Sequence, residues 1–181
     1  MLTRRQFIKA GLLGGVSLVA ARALYGPFEA QPRWVSPNGT RFAVLDEASC
    51  GLFAALADVM LDGALPAEPA AHQAAIAETV RNVDIAISGL SPAVRAELDQ
   101  LFGLLDFPVT RRTVAGVSLP WLKADRASIE SFLARWRDSR IALLRSGYQG
   151  LHKIVLASWY GSPSAWAAIG YDGPPAQVFA A

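Results

Sequence analysis

The sequence predicts an all-α protein. It should be a single bundle of about five helices after a cleavable or anchoring N-terminal signal and an irregular lead-in, ending in an aromatic tail. Three observations carry this expectation. Between residues 46 and 160, apolar residues recur at helical spacing in five stretches separated by Gly, Pro, Ser and Asp punctuation. No stretch shows the alternation of a strand-rich protein. Of 181 residues, 52% are apolar and 18% charged, against roughly 25% charged in an average domain, so there is ample surface for one core. Neither a metal nor a disulfide is needed to hold such a chain together.

Residues 1–23 have the layout of an export signal. Arg4 and Arg5 are followed by Phe7, Ile8 and Lys9, then by twelve uncharged residues diluted with glycine, and then by Ala21-Arg22-Ala23, which fits a small-x-small cleavage site. The paired arginines resemble the twin-arginine (Tat) signal, whose translocase carries folded cargo. As a helix, the uncharged run would span about 18 Å, well short of a bilayer core of about 30 Å. The exported protein is expected to start near Leu24, and Arg4→Lys with Arg5→Lys should strand it in the cytoplasm. Four of the seventeen basic residues and none of the fifteen acidic ones lie in this segment. The whole chain carries +2, but the part from Leu24 onward carries about −2. Neither balance is the basic footprint of a nucleic-acid binder, so no nucleic acid is expected as a partner.

Residues 24–45 read as a lead-in broken by Pro27, Pro32, Pro37 and Asn38-Gly39, with a weak strand or hairpin signal at 41–45. The helical accessory domain should cover residues 46–181. Asp46 caps the first helix, which carries Leu52, Phe53, Leu56, Val59 and Met60 inward. After a linker at Leu65–Pro69, a second helix from about Ala70 to Ser88 has a stripe of Ile76, Val80, Val83 and Ile87, and Gly89 ends it. Ser91-Pro92 starts a third helix with Val94, Leu98, Leu101, Phe102 and Leu105 inward. Residues 108–124 read as a connector, with Arg111-Arg112 as an exposed loop element. Asp125 caps a fourth helix with Ile129, Phe132, Leu133 and Trp136. Ser139 is placed to cap a fifth, from about Arg140 to Tyr160, with Ile141, Leu144, Tyr148, Leu151, Val155 and Trp159 inward. Gly147 and Gly150 inside it suggest close approach by another backbone. Arg135, Arg137, Arg140 and Arg145 form a cluster readable either as a solvated face or as a docking surface.

Chemistry-bearing patterns are few. Cys50 is the single cysteine, which excludes an intramolecular disulfide, and it falls in the first turns of a helix, where a reactive thiol or a small buried residue are both readings. His72 and His152 lie eighty residues apart with no metal-ligand spacing around them. There is no Cys-x-x-Cys-His haem attachment, no Gly-x-Ser-x-Gly elbow and no dinucleotide-binding glycine motif.

The most distinctive stretch is 158–175, Ser-Trp-Tyr-Gly-Ser-Pro-Ser-Ala-Trp-Ala-Ala-Ile-Gly-Tyr-Asp-Gly-Pro-Pro. Ser162-Pro163 can open a single helical turn, and Gly170 can end it. Four large aromatics in thirteen residues either fold back onto the helices or serve as anchors for a partner. With the twin-arginine signal and the helical body, Trp159, Tyr160, Pro163, Trp166, Ile169, Gly170, Tyr171, Gly173 and Pro174 resemble the gluconate 2-dehydrogenase subunit 3 family. The resemblance implies a non-catalytic small subunit and Tat export escort. Its partner would be an FAD-dependent large subunit of the glucose-methanol-choline (GMC) type that oxidises a sugar, sugar acid or alcohol, often with a cytochrome c subunit as electron acceptor. FAD is then expected in the partner and no cofactor in this chain. The location implied is the periplasm, with association to the inner membrane through the complex or an uncleaved signal. The nine residues are the expected partner-docking positions. The alternatives are an independent periplasmic enzyme using Cys50 or His152, and a membrane-held structural module.

Overall fold

A computed structural model describes Trp34, residues 41–166 and residues 169–173. The expected signal at 1–23 and all of the lead-in before residue 41 except Trp34 lie outside the described residues. Those described are all-α: seven α-helical segments, five of them long, and no strand.

Asp46, in extended conformation, accepts the Ser49 N–H at 2.8 Å and starts α1, Glu47–Met60. Every residue from Ser49 to Ala57 is buried, so α1 is covered on all sides, not along one stripe. Its small residues explain why: Ser49, Cys50, Gly51, Ala54, Ala55 and Ala57 let neighbours approach from several directions. The helices at 69–88, 92–106, 126–137 and 142–160 all pack on it.

Helix α2, Pro69–Ser88, begins one residue earlier than the pattern suggests, because the Glu68 carboxylate accepts the N–H groups of Ala70 and Ala71. Its stripe of Ile76, Val80, Val83 and Ile87 is buried as expected. The stripe also contains Asp84, whose carboxylate accepts the N–H groups of Ala43, Val44 and Leu45 at 2.8–2.9 Å. That contact replaces the strand or hairpin expected at 41–45: the backbone donors there are satisfied by a buried side chain and not by a second strand.

Helix α3, Pro92–Asp106, is capped by Ser91 as the sequence indicates. Only its second half is packed deeply: Phe102 and Leu105 are buried, and Phe102 meets Phe53 edge-on at 5.2 Å. Val94, expected inward, is exposed, since the first turns of α3 extend past their neighbours. The connector is more ordered than its composition implies. It contains a helical turn at Pro108–Thr110, a π-helical turn at Arg111–Ala115 and a 3₁₀ turn at Trp121–Lys123. Arg111, expected as an exposed loop residue, is buried and donates to the Asp106 carbonyl; the π turn rotates it inward while Arg112 stays exposed.

Helix α4, Arg126–Arg137, is capped by Asp125, and Ile129, Phe132, Leu133 and Trp136 are buried as expected. Helix α5, Ala142–Tyr160, starts two residues later than expected. Ser139 accepts the Ile141 N–H, so it closes the turn between the helices and does not cap α5. Ile141 stays extended ahead of the first turn and is exposed, not inward. Leu151, Val155 and Trp159 are buried, with Leu144 and Tyr148 packed against them in part.

At Gly147 the close approach is by a side chain and not by the expected backbone: a Cβ there would lie 2.7 Å from the Trp136 ring, which fills the space a backbone would take. The indole N–H of Trp136 donates to Val114 O at 3.2 Å. Gly150 has nothing comparable near it.

Candidate functional site

The C-terminal segment grows out of the end of α5. Asn82 on α2 donates to the carbonyl of Ser158, and Ser164 donates to the Glu78 carboxylate at 2.7 Å, so α2 holds the segment at two points. Trp159 is in the core and Tyr160, the next residue, is 40% exposed. Gly161 ends α5, and Ser162 is buried where the chain turns into the short helix Pro163–Trp166.

Trp166 organises the rest of the segment. Its indole N–H donates to Tyr160 O at 3.0 Å, and its carbonyl accepts the Tyr171 N–H at 3.0 Å. The Tyr171 ring stands edge-on to it, centroids 5.5 Å apart. Gly170 lies in the left-handed region, which turns the chain back. At Gly173 (φ +94°) a Cβ would lie 2.7 Å from the Trp166 ring, so only glycine fits both the backbone and the space. The result is a small loop wrapped on one indole, with Tyr160, Ile169 (56% exposed) and Tyr171 (47% exposed) outward. Large, half-exposed aromatic side chains on a fixed backbone are suited to anchoring a partner at low entropic cost.

Of the nine family-like positions, this arrangement gathers Tyr160, Trp166, Tyr171 and Gly173 into one bonded unit. Pro163 is exposed at its start and Ile169 at its edge. Trp159 faces the core and is not at the surface. Pro174 lies outside the described residues, as do Arg4, Arg5, Phe7, Ile8, Lys9, Ala21 and Ala23.

The candidate nucleophile fares differently. Cys50 is buried, and burial pushes its thiol up to about 12, with the carboxylates of Asp84, Asp46 and Glu47 acting in the same direction. A thiol held neutral in the core is a packing residue. His152 is stacked on Tyr148 at 5.4 Å on the partly exposed face of α5. His72 is better engaged. Its Nε2 lies 2.6 Å from Asp58 Oδ1 and its Nδ1 3.1 Å from Pro66 O. Both partners are acceptors once Asp58 is ionised, so the protonated ring satisfies both. The Asp58 hydrogen bond accordingly raises the His72 pKa.

Among the described residues no group of His, Cys, Asp or Glu is arranged to hold a metal ion. A cavity of about 300 Å³ opens between the lead-in, α1 and α3, lined by Asp46, Ser49, Asp99, Phe102 and Asp106 among others. Burial raises the Asp106 pKa and lowers that of Arg111, and the attraction between the two opposes both shifts.

The residues that sequence reasoning missed are Asp84 and Arg111. Asp84 had a readable signal, an acid on the apolar stripe between Val80 and Ile87; Arg111 had none. No protein-family model, curated protein or solved structure matches this chain.

Proposed function

We propose that this chain is the non-catalytic small subunit and Tat export escort of a periplasmic FAD-dependent dehydrogenase of the GMC type. The observation that carries the reading is the Trp166-centred loop, which fixes Tyr160, Ile169 and Tyr171 outward at the family-like positions. A chain that merely folded its tail back for stability would turn these side chains in. The twin-arginine pattern at Arg4 and Arg5 supports the export part of the reading. The high thiol pKa and burial of Cys50 count against an independent enzyme that uses it as nucleophile.

In this reading the flavin and the oxidation chemistry belong to the large subunit. The small chain contributes a signal at one end and a docking loop at the other. The partner folds and loads its FAD in the cytoplasm, docks on the loop, and crosses with the escort. The test is co-expression with a GMC-type FAD-dependent large subunit, followed by fractionation. With the native chain, flavoprotein activity should reach the periplasm; with Arg4→Lys and Arg5→Lys it should remain in the cytoplasm. Equal delivery of the flavoprotein without this chain would end the escort reading.

A further inference from the structure

The turn between α4 and α5 is tightly built. Ser139 N–H donates to Trp136 O at 3.4 Å, Ile141 N–H to Ser139 Oγ at 3.1 Å, and the Arg145 guanidinium to Ser139 O at 2.6 Å. Arg135 reaches across to the Ala115 carbonyl, which ties the end of the π turn to α4. This bracing exposes two aliphatic side chains: Ile141 is 59% and Leu143 53% exposed.

The charge around them is mostly positive. Arg112, Arg135, Arg137 and Arg140 are exposed and Arg145 is half-buried. The chain has no acid from residue 107 to 124 and only Asp138 from 131 to 149. Arg137 pairs with Asp138 at 2.9 Å; among the described residues no ion pair engages Arg112, Arg135, Arg140 or Arg145. The first turn of α5 has no side-chain cap, so its N–H groups add positive potential there. The opposite end of α4 differs. Arg126 is held by both Asp62 and Glu130, with Asp58 near enough to act on its charge and Asp125 next to it in the chain. Twelve residues of helix separate the two ends by about 18 Å. A chain that is slightly acidic beyond residue 23 therefore concentrates its cations at one corner, around exposed aliphatics.

We propose that the α4–α5 corner docks on an anionic phospholipid surface. Ile141 and Leu143 enter the boundary between headgroups and acyl chains, Arg140 meets the lipid phosphates, and Arg137 joins it by exchanging Asp138 for a phosphate. The corner offers no exposed aromatic ring, since Trp136 is buried beneath it. Aliphatic side chains framed by arginines that carry no ion pair match the charge and depth profile of an anionic lipid interface, with apolar tips below the phosphates and cations at their level. The inference is independent of the escort reading, which uses the other end of α5.

The test uses the full chain with vesicles of mixed phosphatidylglycerol and phosphatidylcholine, and with phosphatidylcholine alone. Hydrogen exchange locates the contact and flotation measures it. Exchange in residues 137–146 should slow on the mixed vesicles only. Arg140→Gln should lower vesicle partition by about fivefold, and Ile141→Ser with Leu143→Ser by about tenfold. Both variants alter exposed side chains, and their melting temperatures serve as the control for folding. If vesicle binding protects only the N-terminal segment, or if both variants bind vesicles as well as the native chain, the proposal is wrong. It is equally wrong if the corner variants keep full vesicle binding and instead lose an acidic protein partner.

Discussion

Two tryptophans in this molecule use the same device to different ends. Trp136 and Trp166 each donate the indole N–H to a backbone carbonyl, Val114 O and Tyr160 O. Each also lies flat enough against a glycine that a Cβ would sit 2.7 Å from its ring, Gly147 and Gly173 respectively. Around Trp136 the neighbours are Phe132, which in turn meets Trp121, and Gly147 on α5, and the ring is buried. Around Trp166 the neighbours are Tyr171 and the loop's own backbone, and the ring is half-buried. The first arrangement locks two long helices together. The second gives shape to a short loop that contributes little to the core. A tryptophan–glycine contact thus acts as a stability element or as a surface template according to what else covers the ring.

The largest expected effect tests the first half of that comparison. Trp136→Ala should destabilise the fold by about 3–5 kcal/mol, read by chemical denaturation. A loss under about 1 kcal/mol would show that α4 and α5 do not depend on this ring. Gly147→Ala should cost about 1–2 kcal/mol, because overpacking against the ring outweighs the helix-propensity gain from removing glycine. If the variant is instead more stable, the close approach is not real.

The second half predicts the reverse pattern. Gly173→Ala should change global stability by under about 1 kcal/mol, since the loop opens locally in preference to straining the body, yet it should weaken partner binding by disordering Tyr171. Hydrogen exchange at Tyr171, whose N–H is held by the Trp166 carbonyl, would report the opening directly.

The smallest effect lies outside both regions. His72 clamps the α1–α2 connection through Asp58 and Pro66. Its folded pKa is raised, so its contribution is fully present below about 6.5, the ordinary histidine value, and fades as pH rises through the folded pKa. His72→Gln should therefore lower the melting temperature slightly at mildly acidic pH and not at alkaline pH, with a pair energy of about 0.5–1 kcal/mol. A pH-independent difference would contradict the clamp.

Much of the body was legible because its signals are local. Asp46, Ser91-Pro92 and Asp125 are caps whose chemistry acts within three residues, and the stripes of α2 and α4 follow the helical repeat. What was hidden depends on contacts distant in sequence. Asp84 gathers backbone donors about forty residues away, and Arg111 is buried because a π turn shifts the register of the connector. Ile141 and Val94 fit the helical repeat but sit in end turns that no neighbour covers. The C-terminal loop was half legible: its turn residues could be read, but which aromatic would be buried could not. That division needs the position of α2, which holds Ser158 and Ser164.

The claim that the loop is a docking template rests most directly on one comparison, the melting temperature and flavoprotein co-purification of Tyr171→Ala beside those of the native chain. The account predicts lost co-purification with a melting temperature shifted by no more than about 2 °C, since a half-exposed side chain leaves the core intact. Retained co-purification, or a melting temperature that falls in step with binding, would contradict it.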